Sequence, residues 1–133
     1  MIKNMILFPI LIIFLNPANA QQGEWTWMKG SSSGGSAGVF GTVQVPAPGN
    51  TPPAMYGPVT WVDSIGNLWL FAGGFSDYNA VWRYDISTSE WTWMKGDSIP
   101  YQFGVYGVMG IPAPGNTPGG RAWGFLSWKD LNG

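Results

Sequence analysis

Any chemistry in this sequence has to come from a short set of side chains. It holds seven carboxylates (Glu24, Asp63, Asp77, Asp85, Glu90, Asp97 and Asp130) and six basic residues, but neither His nor Cys. Zinc and copper–His centres, haem ligation, and Cys–His or Ser–His–Asp nucleophile systems therefore have no residues to use. Hydrolysis of a glycosidic bond needs two carboxylates facing each other across it. Here Asp63, Asp85 and Asp130 stand in turn sequences, where a short acid hydrogen-bonds its own backbone. A sialidase-like site would want an arginine cluster, and only Arg83 and Arg121 exist. One polar loop stands out, Asp77-Tyr78-Asn79, beside Gly74 and a few residues before Arg83. It could touch a ligand or a Ca²⁺, but no second acid lies at ligand spacing. Asp77, Tyr78, Asn79 and Arg83 are the ligand-contact candidates. No catalytic residue, metal ligand or cofactor is assigned.

The scaffold for those residues is unusual in composition. Of 133 residues, 45% are hydrophobic and 10% charged, with 20 Gly, 11 Pro and 9 Trp. Ordinary domains hold about a quarter charged residues, so solubility rests on Gly, Ser, Thr, Asn and backbone polarity. The net charge is −1 and no basic stripe exists. A nucleic-acid partner, which is held largely by released phosphate counterions, is not expected. With no disulfide possible, the Trp residues read as packing material first and as sugar-stacking platforms second.

The first twenty residues read as an address. Lys3 precedes an apolar run from Met5 to Leu15, and Ala18-Asn19-Ala20 closes it. A charged start, a short apolar run and small residues before the cut define a secretory signal peptide. A membrane-spanning helix needs about 20 apolar residues, and Pro9 interrupts this shorter run. Cleavage after Ala20 would leave residues 21–133, exported to the periplasm, the cell surface or the medium, with no transmembrane segment.

Within 21–133 the sequence repeats. Glu24-Trp25-Thr26-Trp27-Met28-Lys29-Gly30 recurs as Glu90-Trp91-Thr92-Trp93-Met94-Lys95-Gly96. Pro46-Ala47-Pro48-Gly49-Asn50-Thr51-Pro52 recurs as Pro112-Ala113-Pro114-Gly115-Asn116-Thr117-Pro118, at the same offset of 66. Val39-Phe40-Gly41 answers Val105-Tyr106-Gly107, and Trp61-Val62-Asp63 answers Trp128-Lys129-Asp130 with one residue inserted. Identities at one fixed spacing mark a repeat architecture.

Inside the repeat the local period is two. Residues 59–62 and 68–71 are short β-branched and aromatic runs joined by Asp63-Ser64-Ile65-Gly66-Asn67, a hairpin signature. Residues 80–84 predict a third strand, 85–89 a polar turn and 90–95 a fourth strand. Gly and Pro interrupt every stretch long enough for a helix. Residues 31–38 read as a mobile linker. The Pro-Ala-Pro-Gly-Asn-Thr-Pro block reads as a stiff surface loop, repeated because each unit needs the same connection to its neighbour.

Gly73-Gly74, Tyr84 and Trp91 in this order and spacing resemble the kelch motif of β-propellers. Gly66-Asn67-Leu68-Trp69-Leu70-Phe71-Ala72-Gly73-Gly74 is similar to exported bacterial kelch proteins labelled galactose-oxidase-like. Pro118-Gly119-Gly120-Arg121 matches the family's stretch before a first strand, whereas Pro52-Pro53-Ala54-Met55 departs from it. The resemblance implies an all-β fold of kelch-type blades, each a four-stranded antiparallel meander. One blade unit is complete, flanked by partial ones in an incomplete ring. At about 66 residues a blade, four blades ask for roughly 260 residues, so residues 21–133 are expected to be the N-terminal part of a longer propeller. The remaining blades would come from the same chain or, failing that, from other copies. The implied function is a binding or interaction module for a glycan or a protein. One alternative is the N-terminal part of a carbohydrate-active enzyme, galactose-oxidase-like, with its catalytic residues beyond 133. Another is a surface adhesion or envelope repeat protein. Catalysis by residues 21–133 alone is not expected.

Overall fold

The structure, a computed structural model, describes residues 25–73, 77–121 and 126–128. The proposed signal peptide lies outside the described residues. Those that are described form an all-β arrangement with one open antiparallel sheet in the order β1-β2-β3-β4. The strands are β1 (Val59–Val62), β2 (Leu68–Phe71), β3 (Val81–Asp85) and β4 (Glu90–Lys95). Three of the four coincide with the spans read from the sequence, and β3 starts and ends one residue later.

The sequence builds this meander locally. Asp63 sits between β1 and β2, and its carboxylate accepts from the amides of Ile65 (3.1 Å) and Asn67 (2.9 Å). It also accepts from the Asn67 side chain at 2.8 Å and from the Trp69 indole at 2.9 Å. Four donors on one acid close the turn and set the hairpin register, Trp61 opposite Trp69. Those two rings stack with centroids 5.6 Å apart. The indole hydrogen bond, followed by those from Asn67 and Ile65, pulls the Asp63 carboxyl down from 3.8 to about 2. Between β3 and β4, Asp85 takes the hydroxyl of Ser87 at 2.6 Å and its amide at 2.8 Å. These two bonds lower its pKa as well.

Cross-strand partners share a face of a sheet, so Leu70, Trp82 and Trp93, in register across β2, β3 and β4, stand together. Trp82 is fully buried and forms the core with Tyr78 and Ala80. Phe40, far away in sequence, caps it: its ring lies 5.0 Å from Trp82, 5.2 Å from Trp93 and 5.7 Å from Tyr78. Tyr84 faces Trp91 across β3 and β4 at 5.0 Å.

An edge strand presents unpaired backbone groups, and the free side of β4 is covered. The cover is residues 39–51, the first copy of the repeated loop. Gln44 N–H donates to Trp93 C=O at 2.7 Å, and Ala47 pairs with Trp91 as an isolated antiparallel bridge. The stiff block is thus more than a connection. It lies along the strand edge and delivers Phe40 to the core.

Candidate functional site

The loop that covers β4 is held by Asn50, which is 2% exposed. Its side-chain amide donates to Val45 C=O at 3.0 Å and to Trp91 C=O at 3.1 Å. A Cβ on Gly41, whose φ is +66°, would collide with the Asn50 side-chain oxygen. The Gly is required both for the backbone angle and for the space.

The second copy, residues 105–117, repeats the loop's internal bonds one for one. Val39 and Thr51 exchange two backbone bonds (2.8 and 2.9 Å), as do Val105 and Thr117 (2.8 Å each). Val45 N to Thr42 O (3.1 Å) becomes Ile111 N to Val108 O (3.0 Å), and Asn50 N to Ala47 O becomes Asn116 N to Ala113 O. Asn116 donates to Ile111 C=O at 3.2 Å, as Asn50 does to Val45. Gly107, at φ +62°, leaves room for the Asn116 side-chain oxygen. What the second copy lacks, among the described residues, is a strand. Tyr106, the counterpart of Phe40, is 66% exposed. A groove of ≈ 600 Å³ lined by Tyr106, Gly107, Val108, Met109, Ile111 and Asn116 stands open beside it.

The two copies also differ in side chains where the backbone is the same. Gly35 and Tyr101 occupy equivalent positions and both have positive φ, +72° and +61°. Ala54 N–H donates to Ser36 C=O at 2.7 Å, and Gly120 N–H to Gln102 C=O at 3.0 Å. On this shared frame Gly35-Ser36-Ala37 is replaced by Tyr101-Gln102-Phe103, and Met55 by Arg121. These replacements, together with Asp77, line a second groove of ≈ 430 Å³. Phe103 is 93% exposed there. Tyr101 N–H donates to Asp77 C=O at 3.3 Å, which fixes the groove's two walls to each other. A left-handed backbone costs a bulky residue about 1–3 kcal/mol, and Gly at the same place in the first copy avoids that cost.

Of the residues singled out from the sequence, Asp77 lines this groove, half-buried. Tyr78 is buried in the core. Asn79 is buried too, and its amide is fully engaged. It donates to Asp97 Oδ2 (2.7 Å) and Pro118 C=O (3.1 Å), while its oxygen accepts from Asp97 N–H (2.7 Å). It ties the loop before β3 to the end of β4 and to the second loop. Arg83 lies mid-β3, opposite Trp69 and Thr92 and away from the groove-lining residues. Gly73, of the resemblance motif, follows β2 at φ +103° and packs against Pro58 and the Tyr56 carbonyl. Gly74 lies outside the described residues. Tyr101, Gln102 and Phe103 escaped the sequence reading, and Arg121 entered it only as one of two arginines and in the Pro118–Arg121 stretch, although comparing the two copies position by position marks all four. Among the described residues no group of three or more acids gathers as a metal would require, and no helix is long and apolar enough to cross a membrane.

Comparison with protein families, curated proteins and solved structures finds no match to this chain.

Proposed function

We propose that the chain is an exported binding module built from kelch-type blades, and that the groove of Asp77, Tyr101, Gln102, Phe103 and Arg121 takes a glycan. The four-stranded meander, Gly73 at the end of β2 and the Tyr84–Trp91 pair support the blade reading. The observation that carries the binding reading is the divergence of the copies. The repeat keeps its loop block unchanged yet places two exposed aromatic rings where the first copy has Gly35 and Ala37. Packing does not ask for rings that project into solvent, and Tyr101 accepts backbone strain to stand there. Flat aromatic faces meet the C–H faces of sugar rings, while Asp77, Gln102 and Arg121 offer acceptors and donors to hydroxyls. A groove with apolar walls and a few polar groups is the usual form of a small-ligand site.

The test is binding of the full chain to an oligosaccharide panel, with Tyr101→Gly and Phe103→Ala alongside. Each ring removed is expected to weaken the retained saccharide about ten-fold or more, about 1.4 kcal/mol. Tyr101→Gly should leave thermal stability intact. Retention of no saccharide, or unchanged binding by both variants, overturns the glycan reading.

A further inference from the structure

Among the described residues one joint is complete and the two halves of another lie apart. In the completed joint, residues 39–51 hold β4 through Gln44, Ala47 and Asn50, and Phe40 packs on Trp93. The second loop has the same internal hydrogen bonds and no strand among the described residues. The segment Glu24-Trp25-Thr26-Trp27-Met28-Lys29-Gly30 is identical to β4 and the Gly that follows it. It pairs in no sheet among the described residues: Trp25 is 99% exposed, and Lys29 Nζ donates to Ser89 C=O at 3.0 Å.

We infer that residues 25–30 of one copy dock on residues 105–117 of a second copy, reproducing the joint between β4 and the first loop. Equivalent positions name the bonds. Gly110 N–H, in place of Gln44, donates to Trp27 C=O of the second copy. The Asn116 amide, in place of Asn50, donates to Trp25 C=O. Ala113 pairs with Trp25 as Ala47 does with Trp91, and Tyr106 meets Trp27 as Phe40 meets Trp93. The acceptor is already shaped, because Gly107 and Asn116 hold the same geometry as Gly41 and Asn50. Little ordering is needed on that side, and backbone hydrogen bonds supply the affinity, as in other cases of strand addition. Donor and acceptor are different surfaces, so the contact runs head to tail and either closes into a ring or continues as a filament. The glycan groove is lined by other residues, with Tyr106 alone bordering both.

The sequence has no Cys, so introduced thiols report without background. Ala113 and Trp25 are exposed, and neither replacement touches the core. Full chain carrying Ala113→Cys is mixed with full chain carrying Trp25→Cys under mild oxidation. Directly opposed strand residues lie within disulfide reach, so the expected product is a mixed disulfide dimer, formed in clear excess over either variant oxidised alone. Labelled Glu-Trp-Thr-Trp-Met-Lys-Gly peptide should bind the wild-type chain and compete with this cross-link. Asn116→Ala should weaken that binding about ten-fold, the loss of one hydrogen bond. No mixed dimer overturns the inference. So does ready cross-linking within a single chain carrying both Cys residues when the mixture gives none, because the segment then docks on its own loop. Peptide binding indifferent to Asn116→Ala overturns it as well.

Discussion

Residues 39–51 and 105–117 are one loop seen twice, once against a strand and once, among the described residues, without one. Their internal hydrogen bonds agree to within about 0.2 Å. The loop's shape is therefore a property of its own residues: the fixed φ of its prolines, glycines at positive φ, and an Asn that folds back on the backbone. The strand does not shape it. What the strand adds is burial, taking Asn50 to near-complete burial and turning Phe40 into a core ring. Its partner ring Tyr106 stays in water. The same module is a structural brace in one place and stands open to solvent in the other, among the described residues.

Those two rings should differ most in what their removal costs. Phe40→Ala should cost about 3 kcal/mol, the low end for a large aromatic because the ring is half-buried. Tyr106→Ala should fall within about 0.5 kcal/mol, as for other exposed sites. Urea denaturation followed by Trp fluorescence measures both. Equal effects would mean that the first loop does not brace the core. Next in size, Asn50→Ala removes two part-buried hydrogen bonds, to Val45 and Trp91 C=O, and should cost about 1–3 kcal/mol. Asn116→Ala removes a single, more exposed bond and should cost well under half as much in the same titration.

Acid sharpens the contrast along another line. Asp63 titrates at about 2 in the folded chain and near 3.8 when unfolded. A depressed carboxylate pKa contributes stability that is present above about pH 4 and is lost as pH falls toward 2. The sheet's melting temperature should drop through that window, and Asp63→Asn should flatten the drop. The smallest effect belongs to Tyr101→Gly. Relief of the left-handed backbone should offset the lost ring contacts and raise stability by up to about 1 kcal/mol. A fall in melting temperature would show that the ring packs in the fold after all.

Much of this was legible in the residues. The offset of 66 exposes both loop copies, and period-two runs bounded by Asp63 and Asp85 turns place the strands to within a residue. The partner of the repeated loop was not legible. Alternation along a strand says which residues share a face, but it is silent on which distant segment lies along the edge. Asn79 misled for a related reason. A polar residue in a loop reads as solvent-facing, yet three hydrogen bonds to Asp97 and Pro118 make its burial cheap. Within residues 31–38, read as a mobile linker, the Ser36 carbonyl is tied to Ala54 N–H, a long-range bond that composition does not announce. Tyr101 and Phe103 were visible only as a difference between copies, since neither is unusual alone in so aromatic a chain.

The most direct test of the shared-module account is residue-resolved amide hydrogen exchange at Gln44 and Gly110, without and with the Glu-Trp-Thr-Trp-Met-Lys-Gly peptide. The account predicts that Gln44 N–H, bonded to Trp93, is protected from the outset. Gly110 N–H should exchange freely at low protein concentration and gain protection when the peptide is added. The amides of Val105 and Thr117 should stay protected throughout, because the second loop is folded before anything docks. A Gly110 amide that gains nothing at saturating peptide, or unprotected Val105 and Thr117 amides, would contradict it.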